Sequence, residues 1–263
     1  MLSKSLIMVI GACLLVGCTG REEASPSPQE RLVVGVDPDY APFEFVDSAT
    51  GTVAGFDIDL MQAIGRHHGW QVEFREVTFD QLLASLRAGE IGAAVSAISV
   101  TPERQAVVDF SDPYYLTGQS LVVAEDDTSI TAREDLRGQR VGVQQGTTAE
   151  QLAKRIDGAL VFRYGDIEEA FRRLSEGDLD AVINDCPSTR SWLEAHRGFR
   201  VADPHLDAQY YGIALPAGNP DLLEAINTAL AVLIGDGTYD SLHVNWFGYS
   251  WFDEPPCDSV STP

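Results

Sequence analysis

The chain of 263 residues carries 40 acidic against 18 basic side chains, a formal net charge of −22 and a pI near 4.4. Nucleic-acid binding needs a basic footprint and is excluded on this balance. The length and 44% apolar residues allow one large domain or two modest lobes, each with a real core.

At the N-terminus, Lys4 precedes the apolar run Leu6 to Val16, which ends in Leu15-Val16-Gly17-Cys18. A positive start and a short apolar core mark an export signal, too short for an ordinary membrane span. Gly17 before Cys18 resembles bacterial lipoprotein precursors. Cleavage leaving residues 1–17 behind and lipid attachment at the Cys18 sulfur are therefore expected. Residues 18–30, with Arg21-Glu22-Glu23 and Ser25-Pro26-Ser27-Pro28, are too polar and proline-rich to bury a core and read as a tether. Cys13 leaves with the signal, so Cys186 and Cys257 remain in a compartment that permits disulfides. A disulfide between them is expected, with two unrelated thiols as the alternative. No paired Cys or His stand at metal-ligand spacing, and neither a metal nor a cofactor is expected.

From Leu32 onward, strand and helix signals alternate, the pattern of an α/β protein. Leu32 to Val36 predicts a buried strand, and Asp57 is placed to cap a helix whose face includes Leu60, Met61 and Ile64. Val72, Phe74 and Val77 predict a strand. Leu82, Leu83 and Leu86 predict a helix that Gly89 ends in the left-handed conformation. An apolar strand from Ile91 to Val95 follows. The later half repeats this unit at an offset of 88: Leu86, Gly89, Glu90 and Ile91 to Val95 correspond to Leu174, Gly177, Asp178 and Leu179 to Ile183. Two similar α/β lobes are expected.

Ligands of open α/β sheets bind beyond the carboxyl ends of the strands. There the first unit has Ser96, Ala97, Ser99 and Arg104, whose guanidinium fork can grip a carboxylate through two parallel hydrogen bonds. The second has Asn184 and Asp185, opposite Ser96 and Ala97 in the repeat. A cation facing an anion across a cleft suits a zwitterion. The plainer alternatives are an ordinary surface arginine and an aspartate that caps the helix starting near Pro187. After strand Val141 to Val143, Thr147 and Glu150 have the spacing of a capping box, which leaves free N–H groups at a helix start. Tyr40 and Phe79 lie on loops beside this cleft. Phe43, Phe45 and Phe56 are expected in the core.

Together with Asp37-Pro38-Asp39-Tyr40-Ala41-Pro42-Phe43, Gly55-Phe56-Asp57, Thr101-Pro102-Glu103-Arg104, Asp109-Phe110-Ser111-Asp112-Pro113-Tyr114, Gln144-Gln145-Gly146-Thr147-Thr148 and Asp236-Gly237-Thr238-Tyr239, these motifs resemble the solute-binding proteins of amino-acid ABC importers, extracellular family 3. The resemblance runs from Leu32 to about Gly248. It implies a two-lobed periplasmic-binding-protein-like (type II) α/β fold with two hinge crossings. Lobe 1 would comprise 31–113 and 212–254, lobe 2 119–206, the hinges 114–118 and 207–211, and the tail 255–263. It further implies a monomer that meets an ABC permease and is held to the membrane through Cys18, on the outer side of a bacterial cytoplasmic membrane.

By the same resemblance, Arg104 binds an α-carboxylate with help from Ser99, Thr147 and Thr148, and Asp185 holds the α-ammonium. Tyr40 and Phe79 flank the ligand side chain, and Asp37, Ser96 and Gln144 approach its far end. Ala97 stands where many members have Gly or Ser. Asp37 suits a basic amino acid (arginine, lysine or histidine), because an enclosed charge needs a partner. Glutamine or another polar amino acid is the alternative ligand. A sensory protein using the same ligand is an alternative role. A cyclohexadienyl-dehydratase-like enzyme is set aside, because no side chain stands out as a general acid.

Overall fold

The computed structural model of the protein describes residues 30–204, 206–253 and 257. The expected signal segment, Cys18 with nearly all of the tether, and the tail apart from Cys257 lie outside the described residues.

The first lobe begins with β1 (Arg31–Val36), whose apolar run is buried between helices on both faces. The short strands β2 (Asp39–Tyr40), β3 (Glu44–Asp47) and β4 (Thr52–Ala54) form an antiparallel sheet of their own in the order β2-β3-β4. Helix α1 (Phe56–His68) buries Phe56, Leu60, Met61 and Ile64 at helical spacing, and α2 (Phe79–Arg87) buries Leu82 and Leu86. Strand β1 is flanked by two parallel strands, β5 (Gln71–Glu76) on one side and β6 (Ala93–Ala94) on the other. Helix α3 (Pro102–Gln105) and β7 (Asp109–Phe110) complete the forward pass.

Strand β8 (Tyr115–Ala124) then carries the chain into the second lobe. There β9 (Arg140–Gln144), α4 (Thr148–Arg155), β10 (Leu160–Tyr164), α5 (Ile167–Ser175), β11 (Ala181–Asp185), α6 (Cys186–Ala195) and β12 (Phe199–Asp203) build a sheet in the order β10-β9-β11-β8-β12. The chain returns along β13 (Ala208–Tyr211), antiparallel to the first residues of β8, from Tyr211 opposite Tyr115 to Ala208 opposite Gly118. Finally β14 (Ala214–Leu215) closes the first sheet in the order β5-β1-β6-β14-β7, and α7 (Pro220–Gly235) and α8 (Thr238–Phe247) pack on α1. The fold is therefore two-lobed α/β, and β8 and β13 join the lobes side by side.

The repeat is visible in three dimensions. Residues 79–87 of α2 and 167–175 of α5 are related by the offset of 88, and both helices run into a left-handed glycine, Gly89 (φ 73°) and Gly177 (φ 76°). Each is followed by the same backbone bond, Glu90 N–H to the Ser85 carbonyl and Asp178 N–H to the Arg173 carbonyl.

Four local readings need correction. The strand expected over Ile91 to Val95 forms a regular ladder only at Ala93–Ala94, although Gly92 and Val95 still donate to the Val33 and Gly35 carbonyls of β1. The left-handed turn at Ala97 (φ 45°) cuts it short. Asp57 does not cap α1. Gly55 (φ 134°) occupies the cap, where a Cβ would come within 2.1 Å of the Phe43 carbonyl oxygen, so the Asp57 side chain turns into the protein. Asp185 sits at the N-cap of α6, but its carboxylate bonds elsewhere. Of the three phenylalanines expected in the core, Phe43 and Phe56 are fully buried, whereas Phe45 is partly exposed beside Trp246.

Cys186 and Cys257 form a disulfide with Cα atoms 5.3 Å apart, fixing the C-terminal segment to the second lobe at the first turn of α6. Joining residues 71 positions apart removes unfolded-state freedom worth on the order of 4 kcal/mol.

Candidate functional site

The carboxyl ends of β1, β6, β9 and β11 converge on one cavity between the lobes. All eleven expected site residues line it: Asp37, Tyr40, Phe79, Ser96, Ala97, Ser99 and Arg104 from the first lobe, and Gln144, Thr147, Thr148 and Asp185 from the second. Four further residues line it that the sequence did not single out as site residues: Asp39, Glu44, Ala149 and Asn184. Of these only Asn184 carried a signal, as the partner of Ser96 in the repeat.

Arg104 reaches the cavity because Thr101 caps the single turn of α3 and Pro102 starts it, which turns the guanidinium back toward the end of β6. The side chain is buried. It donates to the Ser99 carbonyl (2.7 Å) and across the cleft to the Gly146 carbonyl (3.1 Å), and lies over the Phe79 ring at 5.3 Å. Burial lowers its pKa to about 10, so it stays cationic at neutral pH. Ser99 Oγ lies 3.4 Å from Thr148 Oγ1 of the facing lobe. Thr147 caps α4 by accepting from the Glu150 N–H, as expected. The Glu150 carboxylate differs, since it accepts from Gly146 rather than from the cap residue itself.

Asp185 is held by the returning crossing strand, where the Tyr211 hydroxyl donates to Oδ2 at 2.5 Å. Burial raises its pKa, against hydrogen bonds from Tyr211, Gln119 and Tyr40 and the charge of Arg104. Tyr40 also donates to Asn184 Oδ1 (2.8 Å), and Gln119 donates to Thr148 Oγ1 (2.9 Å). Tyr211 and Gln119 thus orient cavity residues from the two crossing strands. Ala97 lines the cavity in a left-handed conformation (φ 45°) that favours glycine.

The other end of the cavity is crowded with acids. Asp37 Oδ2 accepts from the Phe79 N–H at the start of α2 (2.9 Å) and from Gln144 Nε2 (3.1 Å), and burial raises its pKa to about 6. Ser96 Oγ accepts from the Asp37 N–H and donates to Glu44 Oε1 (2.8 Å). Glu44 is fully buried, with Asp57 behind it. Burial and the Asp57 charge push its pKa far up, while burial raises Asp57 to about 7. Asp57 also accepts from the Ala97 N–H and the Tyr114 hydroxyl, both at 2.8 Å. Arg104 is the only basic side chain among these lining residues. The described residues hold no cluster of His, Cys, Asp or Glu arranged for a metal ion.

Residues 32–249 match the family described as bacterial extracellular solute-binding proteins, family 3. The chain belongs to that family. This family-3 protein is 34% identical over 227 residues to the ABC transporter arginine-binding protein 1 of Escherichia coli K12, covering 84% of this chain and 92% of that one. Among solved structures, it resembles an ancestral arginine-binding protein bound to arginine (TM-score 0.81, 39% identity, 84% and 99% of the two chains covered). It also resembles an ancestral arginine-binding protein bound to glutamine (TM-score 0.80, 39% identity, 84% and 99% of the two chains covered). A family-3 binding protein works outside the cytoplasmic membrane.

The acid-rich end has a measurable consequence. In the ligand-free family-3 protein, the folded pKa values of Asp39 (about 8) and Asp57 (about 7) lie above their ordinary 3.8, mainly through burial, and Glu44 is shifted the same way. The folded chain then holds more protons than the unfolded chain up to about pH 8, and stability falls as pH rises through that interval. His243, whose pKa burial lowers from 6.5, opposes this trend only below pH 6.5. The unfolding midpoint of ligand-free protein is expected to drop between about pH 6.5 and about pH 8.5. A midpoint that rises across that range would contradict the charge distribution described.

Proposed function

We propose that the protein binds a single L-amino acid with a cationic side chain between its lobes and delivers it to an ABC importer. The observation that carries this reading is the charge count of the cavity, where Asp37, Asp39, Glu44 and Asp185 face one guanidinium, Arg104. Pairing Arg104 with the ligand α-carboxylate and Asp185 with its α-ammonium leaves acids unmatched at the other end. A buried charge without a partner is unfavourable by several kcal/mol, so a positive side-chain tip fits there better than a neutral or acidic one. Tyr40 and Phe79 would bound the aliphatic part of that side chain. Ser96, Ala97, Ser99, Gln144, Thr147 and Thr148 would line the rest.

The relatives support this reading, since arginine is named for both the Escherichia coli protein and the ancestral structure. They are named for binding, not for catalysis. Glutamine is the second reading, favoured by the Gln144 amide that already meets Asp37 and by the glutamine-bound ancestral structure. In this proposal, residues 31–113 with 212–254 and residues 119–206 move as two bodies about 114–118 and 207–211. A ligand that touches both bodies stabilises the closed arrangement through its differential affinity. The protein acts as a monomer, delivering ligand to a permease rather than signalling its presence.

Removing one partner of a buried charge pair costs about 3–5 kcal/mol. Arg104→Ala and Asp185→Asn are therefore each expected to weaken amino-acid binding by a hundredfold or more in calorimetry, with folding retained. Unchanged affinity in either variant would reject the assignment of the two ends. We also propose that Cys18 is the lipidated first residue of the mature protein, followed by a tether to residue 30. Mass spectrometry of the membrane-extracted protein is expected to give a chain starting at a diacylated Cys18, and an unmodified Cys18 would refute this.

A further inference from the structure

At the acid-rich end of the cavity, Asp39 and Glu44 each keep a buried carboxylate oxygen without a hydrogen-bond partner among the described residues. Glu44 accepts from the Ser96 hydroxyl through its other oxygen, whereas Asp39 accepts from no other side chain among the described residues. Asp39 lies in β2, two residues beyond Asp37, and is held against Phe45 of β3 by the short antiparallel sheet. It lines the same cavity as Asp37. Asp37 is partly satisfied by the Phe79 N–H and by Gln144, whereas Asp39 Oδ1 is sealed from solvent with no hydrogen-bond partner among the described residues. Buried polar atoms are almost always partnered, so an orphaned carboxylate oxygen in a ligand cavity marks a bond left for the ligand to make.

The strongest charges acting on Asp39 have its own sign. Asp37 lies beside it in the first lobe, and Asp166 and Glu168 approach from the start of α5, which packs against β2 across the cleft. The arginines of α5 are engaged elsewhere: Arg172 pairs with Glu169 and Glu176, and Arg173 with Glu169 and Asp178. The missing positive charge must come from the ligand if it comes at all.

Resting on the reading that the ligand is a cationic amino acid, we propose that Asp39 is a specificity-determining residue which, together with Asp37, selects a guanidinium side-chain tip over an ammonium or an amide. A guanidinium is planar, permanently charged and carries five N–H donors, so it can serve two carboxylates on different edges at once. An ammonium is a compact, strongly hydrated charge, and an amide has two N–H donors and no charge to offer. The electrostatics agree: burial, reinforced by Asp37, Asp166 and Glu168, raises the pKa of ligand-free Asp39 to about 8. Near pH 7 the empty site therefore holds a proton on Asp39, and a guanidinium that bonds the carboxylate expels it. Arginine binding is then coupled to release of close to one proton.

The test is calorimetric titration of the wild type and of Asp39→Asn with L-arginine, L-lysine and L-glutamine, at pH 7 in two buffers of different ionisation enthalpy. The wild type is expected to prefer arginine over lysine and to release nearly one proton per arginine bound. Asp39→Asn removes a carboxylate from an all-acidic environment without changing its size. It is expected to lose at least tenfold in arginine affinity, to bind glutamine as well as or better than the wild type, and to release no proton. Asp39→Glu, which keeps the charge, is expected to retain most of the arginine preference. An Asp39→Asn protein that binds arginine with wild-type affinity and proton release overturns the role of Asp39 while leaving the cationic-ligand reading intact. A wild type that binds a neutral amino acid and neither arginine nor lysine overturns both. Should Asp39→Asn fail to fold, a wild type that binds lysine or glutamine as tightly as arginine still overturns the proposal.

Discussion

Much of this structure depends on an imbalance of buried charge. Around one small cavity, the fold gathers Asp37, Asp39, Glu44 and Asp185, with Asp57 immediately behind, against the single guanidinium of Arg104. Burying carboxylates is unfavourable unless each is bonded, protonated or paired with a cation. The protein uses the first two means. Helix α2 gives Asp37 a backbone N–H, Tyr211 gives Asp185 its hydroxyl, and burial with the Asp57 charge keeps Glu44 protonated. In the proposed function the third is left to a bound molecule, which would turn a cost to folding into selectivity for a cation.

The two-lobed architecture makes such a device workable. Neither lobe alone encloses the cavity: Arg104 bonds the Gly146 carbonyl across the cleft, Asp37 meets Gln144, and Tyr40 meets Asn184. These are few and polar contacts, the kind that a ligand can replace with its own. The crossing strands add a second connection. Tyr211 of β13 holds Asp185, its neighbours in the chain bond to Ile98 and Val100 of the first lobe, and Gln119 of β8 holds Thr148. Movement at the crossings and the aim of the ligand-facing groups are therefore mechanically linked.

What the sequence disclosed followed from local chemistry. Arg104 and Asp185 were legible because the 88-residue repeat put both just beyond the carboxyl ends of equivalent apolar strands, one cationic and the other anionic. The repeat was legible because a left-handed glycine followed by an acid marks a helix end independently of the rest of the fold. Asp39 and Glu44 were not legible. They sit on two- and four-residue strands whose pairing depends on the β2-β3-β4 sheet, and Glu44 lies between two phenylalanines that read as core. Asp57 was mistaken for a helix cap because an acid near a helix start usually is one. Only the tertiary fold shows Gly55 taking that place and the Ala97 N–H and Tyr114 hydroxyl claiming the carboxylate. The lengths of short strands such as β6 also escaped, since the turn at Ala97 ends the ladder.

The most direct test of the charge imbalance is a thermal-shift panel of the purified protein against the twenty L-amino acids, because a ligand that binds only the folded chain must raise its unfolding midpoint. The account predicts that a cationic amino acid gives the largest shift, with arginine ahead of lysine and histidine, and that glutamate and aspartate give none. A largest shift from an acidic or neutral amino acid, with none from arginine, would contradict it.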